Sequence, residues 1–158
     1  MWPIFACLIV LGALSLLGKR WAYVGFILVG LLYFPIKAGF HLNYPVCELE
    51  INTQLAKVSL RNYAHIVQFA VFFILSRAQF RGSPLPSTAL AFLAAVIMGA
   101  LVEIAEGATG MGHCRARDLI PDSVGALLGL LALIVIWRPA ALLSTVRKRS
   151  PRRRPTPH

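Results

Sequence analysis

Five long apolar stretches limit what this chain can fold into. They cover residues 2–18, 21–40, 62–79, 87–107 and 119–137. Each approaches the roughly 20 apolar residues that a helix needs to cross the hydrocarbon core of a bilayer. A soluble domain typically has about 25% charged residues, whereas this chain has 14% and would expose apolar surface that it could not cover. We therefore predict an all-α, polytopic transmembrane bundle of five helices.

The basic charge is concentrated towards the C-terminus. Seven of the sixteen Lys and Arg residues lie within 138–158, which contains no acid, and removing them from the net charge of +10 leaves +3. Basic ends are common on the cytoplasmic side of membrane proteins, next to anionic lipid. We predict a transmembrane domain over 1–137 and a basic cytoplasmic tail over 138–158, disordered from residue 150. Membrane lipid is the expected partner, and nucleic acid is not.

The connecting loops predict the orientation. If the C-terminus is inside, five crossings place the N-terminus outside. The cytoplasmic loops then hold Lys19, Arg20, Arg77 and Arg81 without any acid, as the positive-inside rule expects. The first stretch has no basic residue before it, which favours a spanning helix over a cleaved leader.

The exterior loop over residues 41–61 is the longest connection. It allows two structures, an irregular loop or a short helix in the outer interface. The apolar residues of that helix would be Leu49, Ile51, Leu55, Val58 and Leu60. This loop contains Cys47, and the other exterior loop contains Cys114. Because a periplasm is oxidising, we hypothesise a Cys47–Cys114 disulfide that ties the two loops together.

Ionisable residues inside the apolar stretches are the strongest functional signal. Each costs about 2.5–3.5 kcal/mol on insertion scales unless it is paired or hydrated. Five of them, in or at the start of three predicted helices, fall at a similar depth near the exterior, below two arginines of the connecting loop. We predict that they form an outward-facing polar cluster that binds a ligand, consisting of His65, Glu103, Glu106, Arg115, Arg117, Asp118 and Asp122.

The fifth stretch combines two of these acids with small residues. Asp118, Asp122, Gly125 and Gly129 are spaced 4, 3 and 4 residues apart, so they share one helical face. A G-x-x-x-G pattern lets a neighbouring helix approach closely. We predict that Gly125 and Gly129 serve helix packing and hold the acids against the other helices.

Each polar residue also has a purely structural interpretation. Asp118 would cap the fifth helix and Asp122 would be hydrated at the interface. His65 would donate a hydrogen bond to a backbone carbonyl. An inert bundle gains little from so many charges at one depth, which favours a site.

The order of these residues resembles the VanZ-like membrane proteins. That family has an early histidine in one helix, then E-x-x-Q, an arginine and D-x-x-x-N-x-x-G-x-x-x-G. The corresponding residues here, over about 61–137, are His65, Glu103 and Glu106, Arg115 or Arg117, Asp118, Asp122, Gly125 and Gly129. Glu106 replaces the family's glutamine and Asp122 its asparagine, which makes the cluster more acidic. The resemblance implies a bacterial inner-membrane protein linked to the cell envelope. The family is named for association with resistance to glycopeptide antibiotics such as teicoplanin, and it supplies no reaction.

Three function classes follow. The leading hypothesis is a non-enzymatic pocket that binds an envelope precursor or a lipid headgroup, with the arginines facing anionic groups. An alternative is an intramembrane enzyme acting on a lipid-linked substrate, with His65 and a carboxylate as base and acid. The third is an ion or proton pathway, although the carboxylates stop in the outer half of the bundle. The chain lacks H-E-x-x-H and G-x-S-x-G motifs, so the catalytic residues stay unassigned and no metal or cofactor is predicted.

Overall fold

The structure, a computed structural model, describes the backbone of residues 2–149 and the side chains of residues 2–136. Within that range the fold is helical and contains no strand. The helices are α1 (Trp2–Leu16), α2 (Arg20–Ala38), α3 (Thr53–Ser59), α4 (Tyr63–Gln79), α5 (Pro84–Thr109) and α6 (Leu119–Arg149), with a short 3-10 helix (Ala116–Asp118) before α6. Residues 150–158, for which disorder was predicted, lie outside the described residues.

Three helical segments in the described range are long and apolar enough to cross a membrane: α2, α5 and Ala116–Ile136. Helices α3 and α4 qualify together, as one span bent by 74°. Helix α1 has 15 residues and is about 23 Å long, which is shorter than a hydrocarbon core of about 30 Å. The all-helical, multi-pass class is therefore confirmed with three to four candidate spans, while the fifth span and the orientation stay predictions. Helix α6 continues to Arg149, so the first part of the predicted tail is helical.

The connection over residues 41–61 combines both predicted structures. Leu49 and Ile51 lie in irregular chain, and α3 begins after Asn52. The side-chain oxygen of Asn52 accepts a hydrogen bond from the backbone N–H of Leu55 at 2.8 Å. This N-cap satisfies one of the free amides of the first helical turn. The loop therefore becomes helical where its sequence supplies a cap.

Helices α4 and α6 pack against each other over a longer stretch than any other pair in the described bundle. A Cβ atom at position 125 would collide with the backbone carbonyl of Ile66, and one at position 129 would lie 2.6 Å from the carbonyl oxygen of Ala70. Both positions therefore require glycine for this approach. Contacts progress along both helices in the same sense, so α4 and α6 run parallel. The structure thus identifies α4 as the neighbour of the G-x-x-x-G face.

One end of the bundle carries a disulfide between Cys47 and Cys114, and we call it the disulfide end. Helices α2 and α5 finish there, and α4 and α6 begin there. Near the opposite end, α1 and α2 are bound to α4 by buried polar contacts. The Gln79 amide donates to the Ser15 carbonyl oxygen at 2.7 Å, and the hydroxyls of Tyr23 and Ser76 are 2.8 Å apart.

The apolar core lies between α4, α5 and α6. It contains three phenylalanines of α4, three alanines of the other two helices that let the rings approach, and one methionine of α5: Phe69, Phe72, Phe73, Ala91, Ala95, Ala126 and Met98. By contrast, α2 contacts α4 over only a short stretch. The bundle is therefore closed between α4, α5 and α6 and is open between α2 and α4 towards the disulfide end.

Replacing Gly125 with alanine tests the close approach of α4 and α6. The added methyl group must push the two backbones apart, and overpacking of this kind costs about 1–3 kcal/mol. We expect a melting temperature in detergent several degrees below that of the unmodified protein. The control is Gly12→Ala, because a Cβ at position 12 would meet its nearest neighbour at an ordinary 3.8 Å. Equal melting temperatures for the two variants would contradict the packing described.

Candidate functional site

A hydrogen bond between an imidazole and a buried carboxylate connects the first turns of α4 and α6. His65 Nδ1 lies 2.8 Å from Asp122 Oδ1, and Asp122 is 1% exposed. Space for this carboxylate comes from Gly99 of α5, where a Cβ atom would lie 2.5 Å from Asp122 Oδ2. That Oδ2 atom has no hydrogen-bond partner among the described residues. Asp122 is therefore enclosed between three helices, and the interfacial, hydrated interpretation does not describe it.

Glu103 holds the chain that follows α5. It is 3% exposed, and its Oε2 atom accepts a hydrogen bond from the backbone N–H of Arg115 at 2.9 Å. Its Oε1 atom is buried without a hydrogen-bond partner in the described part of the chain. The carboxylate thus fixes the position at which the connecting loop turns towards α6.

Asp118 binds the short helix α3. Its Oδ1 atom accepts a hydrogen bond from the Ser59 hydroxyl at 2.7 Å. Asp118 lies in the 3-10 helix before α6, and Ser59 is the last residue of α3. This contact fastens α3 to the beginning of α6, so Asp118 has a positioning role between two segments.

The two loop arginines share a partner outside the predicted cluster. Arg115 Nε and Arg117 Nη1 lie 3.4 and 3.2 Å from Glu48 Oε2. The Arg115 contact is an ion pair without hydrogen-bond geometry, since its Nε atom lacks a hydrogen-bond partner. Both guanidinium groups are therefore engaged by the loop between α2 and α3.

Backbone bonds and the disulfide fasten that loop across the end of the bundle. The N–H of Glu48 donates to the Cys114 carbonyl at 2.8 Å, and the N–H of Ala116 donates to the Glu48 carbonyl at 2.9 Å. The disulfide joins Cys47 to Cys114, the pairing hypothesised from the sequence. Gly107 leaves room for it, because a Cβ there would lie 2.8 Å from the Cys114 Cβ.

A cavity of about 710 Å³ lies beside this network, between α1, α2, α4 and α5. It occupies the gap that α2 leaves next to α4. Most of its wall is apolar and aromatic, and its polar lining lies towards the disulfide end. The polar members are Tyr33, Lys37, Asn62, His65, Gln68 and Glu106, and the apolar members include Phe5, Leu8, Phe26, Phe34, Val67, Phe69, Val71, Phe72, Met98 and Val102.

The predicted cluster is thus divided by the structure. His65 and Glu106 line the cavity. Glu103, Asp118 and Asp122 do not line it and bind protein groups instead, and Arg115 and Arg117 belong to the connecting loop. Among the described residues, no group of three or more His, Cys, Asp or Glu side chains is arranged to hold a metal ion.

Sequence reasoning did not select Lys37 or the aromatic wall. Lys37 is the lone charge inside the second apolar stretch, and that position was an available signal. Its ammonium group lies 5.6 Å from the centroid of the Tyr33 ring, one turn earlier in α2. The aromatic wall carried no such signal, because phenylalanine is ordinary in any spanning helix.

Comparison with known proteins gives no relative. The chain matches no protein-family model, no curated protein and no solved structure.

Thiol labelling tests the disulfide. The bond predicts one maleimide adduct, on Cys7, in denatured and unreduced protein, and three adducts after reduction. Intact-mass spectrometry counts the adducts directly. Cys47→Ser should leave Cys114 free and give two adducts without reduction. Three adducts on unreduced wild-type protein from native membranes would contradict the bond.

Proposed function

We propose that this chain is a VanZ-like, multi-pass protein of a bacterial inner membrane that binds an amphiphile in the cavity beside His65. The bound group would be an envelope precursor or a lipid headgroup, with its hydrocarbon chain along the aromatic wall. The observation that carries this proposal is the division of one cavity into a polar end and a long apolar wall. An amphiphile also has a polar and an apolar part. Its headgroup would contact the polar end of the cavity, and its hydrocarbon chain would contact the apolar wall.

The proposed topology has five spans, with the N-terminus outside and the C-terminus inside. It places Lys19, Arg20, Arg77 and Arg81 in the cytoplasm and the disulfide end in an oxidising exterior. In this topology α1 is a short span, which a locally thinner bilayer and the long side chains of Lys19 and Arg20 would accommodate. The cavity would then lie in the outer leaflet.

Access from the bilayer supports a lipid-like ligand. Phe5 of α1 and Val67 and Val71 of α4 line the cavity and are also exposed on the surface of the bundle. A hydrocarbon chain could enter between these helices without crossing polar surface. The polar end, with His65 and Gln68 on α4, would meet the headgroup at the level of the interface.

Blocking this side opening tests the proposal. Val67→Trp places a large side chain at the border of the cavity, and Val24→Trp is the matched control. Both positions lie on apolar helical surface, 62% and 52% exposed, but only Val67 lines the cavity. A lipid at about 100 times its Kd stabilises a protein by about 2.7 kcal/mol, which corresponds to roughly 5–10 °C for a chain of this size.

We expect an envelope-lipid fraction to raise the melting temperature of the wild-type protein and of Val24→Trp by that amount. Val67→Trp should accumulate normally and lose most of the increase. An equal increase in both variants would place lipid binding elsewhere on the bundle and would contradict the proposal.

The His65–Asp122 pair favours a second candidate function, hydrolysis of a bound lipid-linked substrate. Asp122 fixes the imidazole through Nδ1, and Nε2 has no hydrogen bond among the described residues. A carboxylate that orients a histidine is the arrangement of a general base. His65 would take a proton from water while the water oxygen bonds to the ester carbon. The ester C–O bond would break, and the proton would pass to the leaving alkoxide.

Product analysis tests the second candidate. Protein in nanodiscs of envelope lipid would be followed by mass spectrometry for the released acid and alcohol. We expect His65→Ala and Asp122→Asn to reduce product formation at least about a hundredfold, while Glu50→Gln in the exterior loop leaves it unchanged. Wild-type protein that forms no more product than His65→Ala would exclude this candidate and leave amphiphile binding intact.

A further inference from the structure

The polar end of the cavity carries charges of both signs on two different helices. Lys37 belongs to α2 and Glu106 to α5, and both line the cavity. Two amide side chains also line it, those of Gln68 in α4 and of Asn62, the residue before α4. This end therefore offers a cation, an anion and neutral hydrogen-bonding groups to the same ligand.

Neither charged group forms an ion pair with the protein among the described residues. The close contacts there join His65 to Asp122 and two arginines to Glu48. The Lys37 ammonium lies over the Tyr33 ring instead. The Glu106 carboxylate contacts Gly112, where its Oε2 atom occupies the space that a Cβ atom would take. Lys37 is exposed and Glu106 is half-buried, so a ligand that pairs with both would gain two charge-assisted contacts.

The remaining ionisable groups near the cavity are already engaged. Asp122 is paired with His65, Asp118 accepts from Ser59, and Glu103 accepts from a backbone N–H. The arginines face Glu48 rather than the cavity. We therefore expect the charged groups of the ligand to pair with Lys37 and Glu106.

We propose that the cavity selects a membrane phospholipid whose headgroup carries both a phosphate and a primary ammonium group. The phosphate would pair with Lys37 and accept hydrogen bonds from the amides of Asn62 and Gln68. The ammonium group would donate to Glu106. A purely anionic headgroup would satisfy Lys37 but be repelled by Glu106, and a purely cationic one would reverse this. The inference deepens the proposed function and rests on it.

The test compares three lipids with identical acyl chains on the full-length protein in detergent. Phosphatidylethanolamine has the proposed headgroup, phosphatidylglycerol lacks the ammonium group, and phosphatidylcholine has a quaternary ammonium without N–H donors. Native mass spectrometry and melting curves would give the half-saturating concentration of each. We expect wild-type protein to prefer phosphatidylethanolamine by about tenfold, equivalent to about 1.4 kcal/mol.

Two cavity variants assign the preference to its residues. Glu106→Gln should bring phosphatidylethanolamine binding down to the level of phosphatidylglycerol, and Lys37→Gln should weaken both. Glu50→Gln and Lys57→Gln make the same charge changes in the exterior loop segment, outside the cavity lining, and should preserve the preference. If Glu106→Gln fails to accumulate, the three-lipid comparison on the wild-type protein decides alone.

The outcomes separate this inference from the proposed function. If the three lipids bind equally and Val67→Trp abolishes that binding, the headgroup preference is overturned and the proposal of amphiphile binding stands. No binding, or binding that Val67→Trp does not change, would overturn both.

Glycerophosphoethanolamine, which lacks acyl chains, should not compete with the lipid at equal concentration. Effective competition would mean that a soluble phosphate compound is the ligand, and it would overturn the assignment to a membrane phospholipid.

Discussion

The close approach of α4 and α6 is the contact on which the rest of this structure depends. Gly125 and Gly129 allow it, because any side chain there would meet the backbone at Ile66 and Ala70. The approach brings His65 within 2.8 Å of Asp122. In an apolar environment that carboxylate would be strongly unfavourable without a partner. Helix packing and charge pairing therefore support each other.

Polar groups at the disulfide end form two layers with different tasks. The inner layer, Glu103, Asp118 and Asp122, satisfies groups of the protein itself and joins α3, α4, α5 and α6. The outer layer, with the disulfide and the pairing of two arginines with Glu48, fastens the loop between α2 and α3. This division explains why the seven ionisable residues of the predicted cluster need not all face a ligand. The connections hold the ends of the helices while a cavity stays open beside them.

The cavity results from uneven packing of the hairpin formed by α1 and α2. Buried hydrogen bonds from Gln79 to Ser15 and between Tyr23 and Ser76 bind this hairpin to α4 at one end. Towards the disulfide end, α2 separates from α4 and bulky rings such as Phe34 and Phe69 line the gap. The two charged residues Lys37 and Glu106 line the polar end of this cavity. Site and fold are thus linked through the position at which the helices diverge.

The sequence by itself determined the helical, membrane-spanning class, the G-x-x-x-G packing face and the set of ionisable residues at one depth. These follow from local composition and helical periodicity, which the chain carries residue by residue. Only the tertiary structure decided that Glu103 and Asp118 bind protein groups, that Arg115 and Arg117 face Glu48, and which residues line the cavity. The tertiary structure also placed Lys37 in the lining of the cavity. Partners in a bundle depend on which helices approach and where they separate, and periodicity within one helix does not contain that information.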